Sequence, residues 1–469
     1  MALTPTLQAA IAAHRFGLGE RDLEVVSTDA RGWLLAQIGP ADGARGEGLL
    51  DTRQALAHVA AEREKRELAR NPPPGSTAEQ ILGGHYREVI LADARSRLAT
   101  AAATQRPFAE RLHLFWTNHF TVSLLKGVTR GLGGAFERDA IRPHIAGRFE
   151  TLLAAAVTHP AMLRYLDNSQ SAGPRSRVVA IEARRASRRD ESPRITGLNE
   201  NLAREVLELH TLGAMGARAG AYTQADVTAF AGVLTGWRVG LNAATSEGDL
   251  FDPHWHEPGD KTVLGRRYGE GPEALREVLH DLAGHPATAR FLATKLARHF
   301  VADEPPPGLV ERLARVFLDS DGRLDEVCRE LVRDDRAWSA PAAKLKTPEE
   351  FVVSTARVLD GGERMFERPE VVNPAVGIGV MGQRLLAAPS PAGWSDRAAD
   401  WLGPDAVWKR VEWATRLAER AGRVVDARKL AARSLGPLLG SESAKQIERA
   451  ADGSQALALF LLSPEFQRR

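Results

Sequence analysis

Residues 197–213 carry the sequence GLNENLAREVLELHTLG, which decides the fold class of this chain. Leu202, Val206 and Leu209 follow one another at the spacing that lines one face of an α-helix. Gly213 comes directly after the periodic residues, where helices commonly end. The stretch therefore predicts an amphipathic helix over residues 199–212.

The same periodicity dominates the rest of the 469 residues. It predicts one long helix over 79–104, and a helix over 106–120 that is apolar on almost every side and therefore buried in a large core. Thr223 with Asp226, and Thr347 with Glu350, have the spacing of helix caps. We therefore expect an all-α fold, a large multi-helix globular array with a long central loop and one small hairpin insertion.

Two stretches interrupt the helical pattern. Residues 169–197 are rich in arginine, serine and proline with little periodicity, which predicts a long irregular loop or a disordered insert. Residues 237–268 also break the pattern, and residues 261–264 within them indicate a small hairpin. The predicted organisation is an N-terminal helical segment over 1–70, a central helical core over 77–270 with an Arg-rich insert at 174–197, and a C-terminal helical region over 271–469 packed on the core.

The composition argues against several classes of protein. Lys and Arg number 62 against 60 Asp and Glu, so the net charge gives no reason to expect a nucleic-acid partner. No stretch approaches the roughly 18 uninterrupted apolar residues that a membrane span needs. Cys328 is the single cysteine, which excludes an internal disulfide and a cysteine-based zinc site. The first residues lack the pattern of an export signal, so we expect a cytoplasmic protein, the alternative being a periplasmic one co-exported with a signal-bearing partner.

The predicted central helix carries the first candidate site. Asn201, Glu205 and Glu208 fall on one face, where two carboxylates and an amide could ligate a hard cation or act as an acid–base pair. The alternative is a solvated face on which Arg204 pairs with Glu208. His210 lies toward the apolar side, which favours a hydrogen-bonded core residue over a metal ligand.

Histidines supply the other candidates. His113 and His119 lie in the apolar helix, about 120° apart around its axis, so each needs its own partner. In the irregular stretch, His254 and His256 alternate, and an extended strand would project both to the same side, as one transition metal would require. A polar surface loop is the alternative there.

Two further residues were considered as supporting groups. Asp226 has the position of a helix-terminus residue, and Lys261 begins the predicted hairpin.

Several strings resemble a known bacterial family. They are RLHLFWTNHF at 111–120, HPAMLRYLDNSQSAGP at 159–174, residues 197–213 with YTQADVTAFAGVLTGW at 222–237, and the run from HPATARFLATKLARHFVAD at 285–303 to KLKTPEEFVVS at 344–354. Together they are similar to the family catalogued as domain of unknown function 1800, from roughly residue 10 to the C-terminus. PSPAGWSDRAADWLGP at 389–404 resembles a Pro-and-Trp segment of that family, whereas residues 174–197 depart from it.

The resemblance implies little chemistry, because the family has no established activity. Its genes commonly lie beside those of a sulfatase-like family, domain of unknown function 1501, whose members often carry a twin-arginine export signal. The resemblance therefore implies a sulfatase-like partner protein.

Two interpretations from different classes follow. In the first, the chain is a metal-dependent helical enzyme of unknown substrate. Glu and His side chains from segments 111–120, 199–213 and 252–260 then converge on one pocket. Glu205 and Glu208 are the catalytic candidates in that pocket. The candidate cofactor is a divalent metal ion, with His119, His254 and His256 as its ligands. In the second, the chain is a non-catalytic binding partner or co-exported accessory of the sulfatase-like protein. The Arg-rich insert and the late tryptophans Trp394, Trp401, Trp408 and Trp413 are then the interface candidates.

Overall fold

A computed structural model describes residues 3–26, 28–193, 195, 197–218, 220–239, 250–339, 342–367 and 377–469. In the first half, the α-helices run over Pro5–Ile11, Ala30–Leu35, Thr52–Arg70, Ala78–Leu82, Arg87–Ala103, Pro107–His119, Gly133–Phe136, Phe149–Thr158, Pro160–Tyr165, Arg177–Arg189, Asn201–Glu205, Gly213–Arg218 and Gln224–Leu234. In the second half they run over Glu273–Ala283, Pro286–Phe300, Pro307–Asp319, Leu324–Arg333, Pro348–Val358, Pro404–Ala421, Ala427–Leu435, Ser441–Glu448, Gly453–Leu462 and Pro464–Gln467.

The predicted all-α array with one small hairpin is confirmed. The hairpin pairs strand β1, Lys261–Val263, with strand β2, Arg266–Tyr268, in antiparallel register. Leu264 and Gly265 form its two-residue turn, and both have positive φ (50° and 76°), as the right-handed twist of a tight hairpin requires.

Turns of π-helix interrupt the α-helices at Ala12–Phe16, Glu137–Ile141 and Val206–Thr211. Residues 199–212 were expected to form one regular α-helix, but the regular part is only Asn201–Glu205. The wider π-helical turn buries Leu207 fully and leaves Leu209 half exposed. The predicted apolar stripe is therefore correct at Leu202 and Val206 and wrong at Leu209.

Two other local predictions were also wrong. The middle of the Arg-rich insert is the helix Arg177–Arg189, because Arg, Ala and Glu are good helix formers. The helix expected over 79–104 is divided into Ala78–Leu82 and Arg87–Ala103. The division falls at Gly83 and Gly84, the second of which has a φ of 74°.

The buried apolar residues form two cores. The first core contains residues from Ala9 to Trp338. It therefore includes residues from both sides of the domain boundaries predicted near residues 70 and 270. Those boundaries stay predictions. The second core combines Leu18 and part of Arg87–Ala103 with residues between Phe351 and Phe466. Helix Pro107–His119 lies between them, since Phe115 belongs to the first core and Leu114 to the second.

Candidate active site

The carboxylates of the central helix lie near Tyr165 and Tyr222. Glu205 and Glu208 are both half-buried. Burial raises the pKa of Glu205, and the neighbouring charge of Glu208 raises it further. Burial and the charge of Glu205 in turn raise the pKa of Tyr165 to about 12. Asn201 is exposed at the first turn, where its backbone N–H donates to Asn199 Oδ1 (2.9 Å). A catalytic role for the two glutamates stays a prediction.

His119 and His210 meet inside the first core. Their ring centroids are 6.0 Å apart, and His119 Nε2 donates to the carbonyl oxygen of His210 (3.1 Å). His119 Nδ1 accepts from Lys295 Nζ (3.1 Å), so both ring nitrogens are occupied by protein groups. Burial, followed by the charge of Lys295, lowers the pKa of His210 to about 3 and that of His119 well below its usual range. Both imidazoles are therefore neutral at pH 7.

His113 and Asp226 serve local structure. His113 Nδ1 lies 3.3 Å from Glu110 Oε1, and Glu110 also binds Arg142 at 2.7 Å. Asp226 caps helix Gln224–Leu234 through Thr223, and its second oxygen accepts from the N–H of Leu264 (2.7 Å). Asp226 therefore holds the hairpin against the helix.

His254 and His256 point in different directions. The chain turns at 253–255 instead of running extended, because the carboxylate of Asp252 accepts from the N–H of His254 (2.9 Å). His254 is exposed and His256 is buried. His256 Nδ1 donates to the Thr235 carbonyl oxygen (2.7 Å), and Nε2 accepts from Lys261 Nζ (2.9 Å). The strand-like projection of both imidazoles to one side was therefore a wrong prediction.

These side chains do not gather into a metal site. Among the residues that the structure describes, no group of three or more His, Cys, Asp or Glu side chains could hold a metal ion. The described helices also include none that is both long and apolar enough to cross a membrane.

A different set of residues encloses a polar cleft between the two cores. It consists of two adjoining cavities with free volumes of about 30 and about 50 Å³, which share Arg97, Asn118, Glu349 and Trp394 in their walls. Polar side chains dominate the larger cavity, where His299, Asp396, Thr347, Glu350, Gln383 and Ser395 complete the lining with Leu114. The space suits a few water molecules or one small group of a ligand.

His299 and Asp396 form the reactive pair of this cleft. His299 Nδ1 lies 3.0 Å from Asp396 Oδ1, while Nε2 is buried and has no hydrogen-bond partner among the described residues. Burial, followed by the charge of Arg469, lowers the pKa of His299 to about 4 against the opposing effect of Asp396. Although burial acts in the other direction, hydrogen bonding from His299 and nearby positive charges lower the pKa of Asp396. The neutral imidazole thus donates from Nδ1 and offers the lone pair of Nε2.

Ion pairs and an amide clamp fix the opposite wall. Arg97 binds Glu349 with two nitrogens and donates to Glu137 Oε1 at 2.5 Å. The side-chain amide of Asn118 donates to the Trp394 carbonyl oxygen (2.9 Å) and accepts from the Trp394 N–H (2.7 Å). Gly393 permits this approach, since its φ is 80° and a β-carbon there would collide with the carbonyl oxygen of Asn118.

A buried cluster of cations lies behind the cleft. Glu350 pairs with Arg111 and, at 2.9 Å, with Arg469. Lys346 Nζ has no hydrogen-bond partner among the described residues and lies 4.1 Å from the ring centroid of Phe466. Burial, followed by the charge of Arg111, lowers the pKa of Lys346 to about 7. Glu350 lines the cavity and pairs with two of these cations, so the cluster brings positive charge next to the cavity.

Sequence reasoning missed His299 and Asp396 as site residues. The strings at 285–303, 344–354 and 389–404 carry the family resemblance, and they also supply His299, Glu349 and Asp396 to one cavity. No local spacing marks such a site, because its members lie far apart along the chain. The one signal in the sequence is that each of these residues lies in a string that resembles the family.

The fold and the cleft define a class of protein, an all-helical protein with a buried polar cavity between two cores. The chain matches the model of the family described as "Protein of unknown function (DUF1800)" over residues 11–468, and it therefore belongs to that family, as the sequence predicted. Searches of curated proteins and of solved structures found no match.

Proposed function

We propose that this chain is an enzyme of the general acid–base type, with His299 as the base and the cleft between the two cores as the reaction site. The observation that carries the proposal is that His299 is a lining residue of the polar cavity, with its Nδ1 held by Asp396 and its buried Nε2 without a hydrogen-bond partner among the described residues. A buried ring nitrogen without a partner costs about 1–3 kcal/mol. His14 and His210 also have such a nitrogen, but His299 combines it with a place in the wall of the polar cavity, and this combination supports a catalytic role.

The chemistry follows from the protonation states. Nε2 takes a proton from a water molecule while the water oxygen attacks the electrophilic atom of the substrate, and Asp396 stabilises the imidazolium through its bond to Nδ1. As the scissile bond breaks, the imidazolium returns the proton to the leaving group, and His299 is neutral again. Because the free space fits water better than a whole substrate, the reaction class is hydrolysis, with the scissile bond of the substrate presented at the cavity. Arg97 and the Asn118 clamp position the wall on the opposite side.

The tautomer of His299 gives a test that needs no substrate. Nitrogen-15 NMR of the imidazoles at pH 7 should show a protonated Nδ1 and an unprotonated Nε2 for His299, assigned by its loss in His299→Gln. A proton on Nε2 would contradict the proposal.

Turnover gives the second test. Hydrolytic activity detected on a panel of ester, phosphate, sulfate and glycoside substrates should fall about 100-fold or more in His299→Gln. His113→Gln is the matched control, since His113 is also buried beside a carboxylate but does not line the cleft. Equal activity in wild type and His299→Gln would refute the assignment.

The metal-dependent mechanism through Glu205, Glu208, His119, His254 and His256 stays a prediction. Both ring nitrogens of His119 and His256 bind protein groups, and this geometry does not favour it. Elemental analysis of the purified chain beside Glu205→Ala and His256→Ala tests it directly.

One observation favours the second interpretation, that of a binding partner for a sulfatase-like protein. Trp408 is 60% exposed, and Leu402 and Val407 are exposed close to it in sequence. Such a group fits an interface better than a core. Co-purification with the sulfatase-like protein from native cells, lost in Trp408→Ser, would support it.

A further inference from the structure

We infer a second ligand site in a surface pocket that shares no lining residue with the cleft of His299. Its free volume is about 450 Å³, and it is lined by residues of helices Thr52–Arg70, Ala78–Leu82 and Arg87–Ala103, of the turn between the last two, and by Arg130. This volume is in the usual range for a small-molecule site. The ligand class is a small organic anion in which a phosphate or sulfate group is attached to a ring.

Charge in the pocket selects an anion. Three guanidinium groups line it, those of Arg66, Arg87 and Arg130. The single lining carboxylate, Glu62, is already bound to Arg66 at 2.9 Å and to the hydroxyl of Tyr86 at 3.0 Å. The side chains of Arg87 and Arg130 are exposed and have no hydrogen bond or ion pair with any described residue. Two guanidiniums therefore remain free to bind an oxyanion through paired N–H groups.

The remaining lining residues favour a ligand with a ring. Tyr86, Ile90 and Leu82 give the pocket an apolar surface beside the guanidiniums. Tyr86 is fixed, because its hydroxyl donates to Glu62 and its ring packs at the edge of the His85 imidazole, 4.8 Å between centroids. A ring can pack on this surface while its phosphate or sulfate reaches the arginines.

Preorganised neighbours hold the pocket open. His58 and His85 stack with 4.1 Å between ring centroids, and each Nε2 donates to the other residue's carbonyl oxygen at 2.9 Å. This reciprocal pair ties the long helix Thr52–Arg70 to the turn before Arg87. The pocket thus exists without its ligand, which reduces the entropy lost on binding.

Calorimetric titration of the full chain tests the inference with phenyl phosphate, phenyl sulfate, inorganic phosphate and phenol as probes. We expect one of the phenyl esters to bind, with affinity falling as salt is raised, and phenol to show no binding. The Arg87→Gln, Arg130→Gln double variant should weaken binding at least tenfold. The matched control, Arg53→Gln with Arg70→Gln, removes the same charge from exposed positions and should change the affinity less than twofold.

Three results would overturn the inference. They are no binding of either ester, equal weakening in both double variants, and inorganic phosphate binding as tightly as the esters, which would leave the ring no role. His299→Gln should bind the esters as tightly as wild type, because His299 does not line this pocket. The binding test therefore gives a result that does not depend on the proposed hydrolytic function.

Discussion

At Lys346 a side chain that is normally charged and exposed lies fully buried beside Phe466 and near Arg111, Arg410 and Arg469. Glu350 is the carboxylate that most directly offsets their charge. Buried polar residues such as Lys346 and the neutral His299 make the region of the cleft polar, although it lies between two apolar cores.

We predict that Lys346→Met stabilises the protein, and does so more at pH 6 than at pH 9. The pKa of Lys346 is about 7 in the folded state, against the ordinary value of 10.5 that we take for the unfolded chain. Folding therefore disfavours the protonated, charged form of the Lys346 side chain. This penalty is fully present below pH 7 and declines as the pH rises toward 10.5. The gain at pH 6 should be on the order of a few kcal/mol in urea unfolding. Lys445→Met, at an exposed position, is the control, and an equal gain at both pH values would contradict the prediction.

At the scale of elements, caps join neighbouring segments. The N-cap at Thr223 and the capping box at Thr347, predicted from spacing alone, are both formed, and Asp226 completes a capping box at Thr223 as well. Their carboxylates also have a second partner, since Asp226 binds the hairpin and Glu350 binds two arginines. Spacing along the chain indicated the first role, and only the neighbouring elements determine the second.

Asp226→Ala should lower the free energy of unfolding by about 1–3 kcal/mol, because it removes the carboxylate that accepts from the N–H of Thr223 in the capping box and leaves the N–H of Leu264 without its acceptor. The shift in the urea midpoint measures it. Asp260→Ala in the same region breaks only an ion pair with the exposed Arg267 and should cost less than about 1 kcal/mol. The prediction fails if the two substitutions have equal effects.

At the scale of the whole molecule, buried neutral imidazoles set the response to acid. Burial lowers the pKa of His14, His159 and His210 to about 3, and that of His299 to about 4. Between pH 6.5 and these values the unfolded chain binds protons that the folded chain does not. Stability must therefore fall as the pH falls through this window.

We expect the free energy of unfolding to decrease by roughly 1.4 kcal/mol per pH unit for each such histidine below about pH 6. Thermal unfolding followed by circular dichroism from pH 7.5 to 4.5, with proton uptake measured by calorimetry in two buffers, checks both sign and size. A melting temperature that stays constant down to pH 5 would show that these imidazoles are not buried in neutral form.

The helical class, the hairpin, the helix caps at Thr223 and Thr347 and the family are all readable from the sequence, because periodicity and spacing are local properties of the chain. Which polar side chains lie together depends on how distant segments pack, and the sequence does not show this. His299, Glu349 and Asp396 come from three distant segments, and no local pattern records that they share a cavity. Likewise, the turn at Asp252 directs His256 inward and away from His254, and the π-helix at Val206–Thr211 leaves Leu209 half exposed. In both places, tertiary packing and hydrogen bonds outweigh the regular geometry assumed from sequence.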